Sequence, residues 1–275
     1  MTVLSVCLFG NSHLAAVKAA LDAHESKYPQ IKFKCFGAPG AVGARLPGME
    51  FSEGKAVATD PELARMVKEV SGGDDSVLLN NHDALVVIGL GLGLRPILVL
   101  LRTHLALEEY KTARQEQELI SEACLIQCIK DLINDNASVM LLKKLRANTH
   151  KPIYVCTEPY LSEAALDQVK FQHLPLLNQF NALIRIRKLY SRCLADILAD
   201  VGAVLIAQPK VTICSPCFTK RKFSRGSTFL LRDGKKYPEK DIRHMNKTYG
   251  ALLLKSIAKR ITGADTSSVS SPASL

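Results

Sequence analysis

A serine near one end of this 275-residue chain and an aspartate–histidine pair near the other are the residues whose types and spacing could do chemistry. Ser12 lies in Leu8-Phe9-Gly10-Asn11-Ser12-His13. The apolar run at 3–8 is short enough to be a buried strand, and 14–21 has helical spacing and strong helix formers. Ser12 is thus placed where a strand turns into a helix. Backbone N–H groups at a helix start lack intrahelical partners and carry the positive end of the helix dipole. A hydroxyl there can attack a carbonyl while those N–H groups receive the developing oxyanion. The same position suits a helix cap supplied by Ser12 or Asn11, and for this stretch alone the cap is the commoner use. In Asp241-Ile242-Arg243-His244, carboxylate and imidazole stand three residues apart, on one face of a turn. There the carboxylate can fix the imidazole tautomer, and the other ring nitrogen can take the serine proton.

Taken together, Gly10-Asn11-Ser12-His13 and Asp241-x-x-His244 resemble the SGNH (GDSL-type) hydrolase superfamily. Its nucleophile stretch reads Gly-Asp-Ser, and its base and orienting acid sit in a late Asp-x-x-His. The two anchors span nearly the whole chain. The resemblance implies a flavodoxin-like three-layer α/β sandwich, with Ser12 as nucleophile, His244 as base and Asp241 as its orienting acid. It also implies an oxyanion hole built from the Ser12 amide, the Gly40 amide (Gly37 being the alternative) and an asparagine side chain in a third glycine block. The third block here is Gly89-Leu90-Gly91, so Gly91 stands where that asparagine is expected. Removing one side-chain donor of this kind costs on the order of 100- to 1,000-fold in rate. Either the Gly91 backbone serves, or Asn11, Asn80, Asn81 or His82 substitutes, or activity is weak. The implied reaction is serine ester hydrolysis, removing a small, acetyl-like acyl group from a carbohydrate or related alcohol, with no metal or organic cofactor. O-acyl transfer to a sugar uses the same residues. A catalytically weak carbohydrate-binding member of the fold is the alternative from another class.

Five apolar strand patterns must position these residues, at 3–8, 31–36, 84–88, 153–156 and 203–207. Helical patterns separate them, which predicts a parallel, doubly wound sheet with its site at the strand C-termini. The glycine-rich turn 37–43 follows the second strand, and the loop 89–93 follows the third. The latter lacks the last glycine of G-x-G-x-x-G, which argues against dinucleotide binding. Helices are expected at 12–27, from 60 to about 70, 116–133, 138–147, 161–169 and 176–200, with a last one ending near 261. The expected organisation is one domain over 1–262, carrying a helical insertion at 105–148, then a disordered Ser-rich tail at 263–275. Residues 45–54 read as a loop near the cleft.

Composition bounds the rest. Hydrophobic residues make up 47% and charged residues 23%, ordinary for a soluble globule. The longest apolar run, 84–101, is interrupted by three glycines, an arginine and a proline, so no bilayer span is expected. No signal-peptide pattern opens the chain, and the expected location is the cytoplasm. Eight scattered cysteines are expected as reduced thiols. Cys214-Ser-Pro-Cys217 has no second half-site for zinc. The net charge of +10 is concentrated late in the chain. It is either a solvated basic face or an attraction for an anionic substrate, such as an acidic glycan. Aromatic residues make up only 6%, with no Trp and no nucleic-acid-binding motif, which argues against nucleic acid as partner.

Overall fold

Alternation along one strand explains the layers. In Leu4–Gly10, Val6 and Leu8 pack into one buried cluster while Cys7 and Phe9 pack into another. A period of two sends neighbours to opposite faces, so both faces must be covered. The computed structural model describes residues 2–106, 117–179, 181–232 and 234–263. Its central sheet contains β1 (Leu4–Gly10), β2 (Ile31–Gly37), β3 (Ala84–Ile88), β4 (Ile153–Cys156) and β5 (Val204–Leu205). All are parallel, in the spatial order β5-β4-β3-β1-β2. The direction of winding reverses between β1 and β3, and such a point leaves a crevice at the strand C-termini.

The longer helices are α1 (Leu14–His24), α2 (Pro61–Ser71), α3 (Glu122–Asn134), α4 (Ala137–Asn148), α5 (Ala182–Val201) and α6 (Lys247–Ile261). α1 and α6 bury their apolar faces against Val6 and Leu8, whereas α2 to α5 pack over Cys7 and Phe9. This is the expected α/β sandwich, with helices on both faces of a five-stranded parallel sheet. The α6 side chains Tyr249, Leu253, Leu254 and Ile257 are all buried, each contributing roughly 1.5–3 kcal/mol of hydrophobic stabilisation. α6 also lies directly on α1: a Cβ at Gly250 would come within 1.8 Å of the Ala16 carbonyl oxygen. Only glycine permits that backbone contact. Asn246 caps α6, its Oδ1 accepting from the Tyr249 N–H at 3.2 Å. His244 precedes that cap and Ser12 precedes α1, so the helix contact brings their two entry loops together.

Several local expectations are corrected. Residues 45–54 are not a plain loop: Glu50–Ser52 pairs with Lys55–Val57, which pairs with Ser76–Leu78. The turn between the first two strands uses two residues with positive φ, Glu53 (+48°) and Gly54 (+75°), the conformation that suits a tight hairpin. The single helix expected at 176–200 is two, Leu174–Gln179 and α5, with Asn181 in the left-handed conformation before α5. The segment expected as a helix over 161–169 is a two-residue strand followed by short 3-10 turns. Helix α3 starts at Glu122 rather than 116, because Ser121 caps it by accepting from the Cys124 N–H at 3.2 Å. Residues 107–116 of the expected insertion and 264–275 of the expected tail lie outside the described residues. Among the described residues, no helix is long and apolar enough to cross a membrane, and no group of three or more His, Cys, Asp or Glu side chains could hold a metal ion. Cys214 and Cys217 are free thiols, the second buried.

Candidate active site

Ser12 sits in the turn between β1 and α1, one residue ahead of the helix N-cap at His13. It does not cap: no side chain caps α1, and the Ser12 hydroxyl turns to the far end of the chain. Its Oγ is 2.9 Å from His244 Nε2, and His244 Nδ1 is 3.1 Å from Asp241 Oδ2. The other Asp241 oxygen accepts from the backbone N–H groups of Arg243 (2.8 Å) and His244 (2.7 Å). The carboxylate therefore folds its own turn and aims its own histidine. Burial works to raise the Asp241 carboxyl, but the His244 hydrogen bonds and these N–H groups hold it below the ordinary carboxylate range. Burial lowers His244 from its usual 6.5; the Asp241 hydrogen bond opposes this and His13 adds to it. A neutral imidazole between serine and carboxylate can take the hydroxyl proton.

The His244 ring is held between two others. Tyr237 stacks on it at 3.8 Å, 6° from parallel, and His13 stacks at 5.1 Å. Behind Tyr237 stand Phe229, 3.9 Å away, and the Arg232 guanidinium over the Phe229 ring. Beyond His13 lies Glu158, almost completely buried in the loop after β4. His13 Nε2 is 3.2 Å from Glu158 Oε1, close but without hydrogen-bond alignment. Arg243 is 4.0 Å from the other oxygen. Burial alone would raise the Glu158 carboxyl, yet His13, Arg243 and Arg95 bring it down to about 2. The site is thus a stacked column with a buried anion at its base.

The expected oxyanion donors are placed unequally. Gly40 opens the short helical turn after β2 with φ +60°, and lines a cavity shared with Tyr237, Phe229 and Arg232. Gly91 is in the glycine loop after β3, as expected, but its N–H donates to Glu158 Oε1 at 2.9 Å. A Cβ there would meet Asn136 Nδ2 at 2.9 Å, so the space of an asparagine at this position is already taken by Asn136. Of the candidate substitutes, Asn11 is close by, its Oδ1 accepting from the His13 N–H at 3.2 Å. Asn80, Asn81 and His82 precede β3 and so lie at the opposite end of the sheet, where His82 pairs with Ser5.

Sequence reasoning missed Glu158, Tyr237 and Asn136, and gave His13 no more than a supporting place. A glutamate two residues past a buried parallel strand carried a signal, because strand C-termini converge on the crevice. Tyr237 and Asn136 carried none: one comes from an irregular segment, the other caps α4 by accepting from the Ser138 N–H at 2.9 Å.

Fold and site together define a class: a doubly wound α/β protein with a Ser–His–Asp array at the C-terminal end of its first strand. No family model and no curated protein matches the sequence. Among solved structures, the periplasmic domain of a lipopolysaccharide acetyltransferase from Salmonella ser. Paratyphi A is similar with a TM-score of 0.44 and 14% identity, over 94% of this chain and 84% of that one. Salicylyl-acyltransferase SsfX3, from a tetracycline biosynthetic pathway, is similar with a TM-score of 0.36 and 12% identity, over 96% of this chain and 55% of that one. Both likenesses are remote, and neither says what this chain does.

Proposed function

We propose that this protein is a serine ester hydrolase of SGNH type, removing a small acyl group from a carbohydrate or related alcohol. The observation that carries the reading is the single imidazole bridging Ser12 Oγ (2.9 Å) and Asp241 Oδ2 (3.1 Å) across 232 residues of sequence. Ser12 attacks the ester carbonyl as His244 Nε2 takes its proton. The tetrahedral oxyanion is met by the amides of Ser12 and Gly40. Collapse expels the alkoxide, which takes the proton from His244. Water, activated by the same imidazole, then cleaves the acyl-enzyme. Asp241 stays ionised and holds the tautomer. Transfer of the acyl group to a sugar hydroxyl differs only in which nucleophile enters at the second step.

A fluorophosphonate probe tests the reading. The expected result is one adduct, on Ser12, abolished in Ser12→Ala and strongly slowed in His244→Ala. A folded protein that takes no label would refute it. Product analysis with and without an added sugar acceptor separates hydrolysis from transfer.

A further inference from the structure

A carbonyl attacked by Ser12 needs donors aimed at its oxygen as negative charge develops. The third glycine loop does not free one at Gly91, whose N–H is bonded to Glu158. On the other face of the His244 ring stands Tyr237, stacked on it at 3.8 Å and so placed beside Ser12, whose Oγ is 2.9 Å from the same imidazole. The ring is fixed from behind by Phe229 and by a small hairpin, in which Tyr237 N–H donates to Ser227 O (2.8 Å) and Phe229 N–H to Lys235 O (3.0 Å). Tyr237 and Gly40 wall the same cavity, of about 450 Å³, whose lining includes neither Ser12 nor His244. Burial raises the phenol above its ordinary value, so it keeps its proton and can donate.

We propose that Tyr237 is a catalytic residue of this site, its phenol O–H supplying the oxyanion hydrogen bond that Gly91 does not. The proposal rests on Ser12 being the nucleophile. As the Ser12 Oγ–carbon bond forms, the carbonyl π pair moves to oxygen and the serine proton moves to His244 Nε2. Tyr237 donates its hydrogen bond to that oxygen throughout and gives up no proton. When the carbonyl reforms, the electron pair leaves with the alkoxide, which is protonated by His244.

The test is Tyr237→Phe, which keeps the ring and its stacking and removes only the hydroxyl. With p-nitrophenyl acetate, kcat should fall on the order of 100-fold. KM should stay within about twofold and the acid limb of the pH profile should not move. Fluorophosphonate labelling of Ser12 should slow in parallel, because the adduct also carries a tetrahedral oxygen. A Tyr237→Phe enzyme as fast as wild type or faster would overturn the proposal, the latter marking Tyr237 as a cover over Ser12. A loss carried by KM, or a displaced acid limb, would also overturn it, marking the ring as a positioning residue. So would a large kcat loss in Asn136→Ala without one in Tyr237→Phe. If wild-type Ser12 takes no label, the nucleophile assignment fails and takes this proposal with it. A labelled wild type beside an unaffected Tyr237→Phe overturns this proposal alone.

Discussion

Replacing Glu158 by glutamine should destabilise the protein by roughly 3 kcal/mol at pH 7. The carboxylate is buried, its side chain 5% exposed, and it faces His13 and Arg243 and receives the Gly91 N–H. Burial penalises its charge, yet His13, Arg243 and Arg95 bring its pKa from 4.5 to about 2. At about 1.36 kcal/mol per unit, that gap is about 3 kcal/mol of preference for the ionised form in the folded state. Solvent screening takes little from this figure at such low exposure. Glutamine fits the space and can still accept from Gly91, but it leaves the partly exposed Arg95 and Arg243 facing no anion. The pH dependence follows from the sign. The folded pKa lies below the unfolded one, so the stabilisation is fully present above about 4.5 and is lost as pH falls toward about 2. Urea unfolding of both proteins at pH 7 and at several values between 5 and 3 gives the difference directly. The gap should shrink steadily with acid. A difference below about 1 kcal/mol at pH 7, or one that stays constant down to pH 3, would refute the claim that the Glu158 charge holds this cluster together.

Three further outcomes are expected. Because burial holds His244 below 6.5, the acid limb of kcat/KM should fall below pH 6.5; Asp241→Asn should lower kcat on the order of 10³- to 10⁴-fold and move that limb to still lower pH, since the Asp241 hydrogen bond works to raise the imidazole. A pH–rate profile in which the limb stays put or rises would count against Asp241 as its partner. Gly250→Ala should separate α6 from α1, costing about 3 kcal/mol or more, because its Cβ would sit 1.8 Å from a backbone oxygen rather than a yielding side chain. Thermal unfolding measures the cost, and Ser12 labelling by the fluorophosphonate should slow with it, since the two site loops precede these helices.

Much of the frame was legible because it depends on short-range patterning. The runs at 84–88 and 153–156 have the bounds of β3 and β4, since a strand buried on both faces is apolar throughout. Gly202 ends α5 in the left-handed conformation, as its place after the apolar helical run indicates. Where helices break or hairpins form, the deciding residue was less distinctive: Glu53-Gly54 lacks the usual Asn or Asp of a two-residue turn, and Asn181 inside a helical pattern looks like any polar position.

By itself the sequence determined the candidates Ser12, Asp241 and His244, their order, and the strand–loop–helix setting of Ser12, because residue type and local spacing are written in the chain. Only the tertiary structure decided what surrounds them. That Gly91 gives its amide to Glu158, that Asn136 occupies the space beside it, and that Tyr237 and His13 clasp the His244 ring all depend on contacts between residues far apart in sequence. Such contacts are set by how helices pack on a sheet. The meeting of Ser12 and His244 hinges on α6 touching α1 at Gly250, a backbone approach that one glycine permits and no local pattern announces.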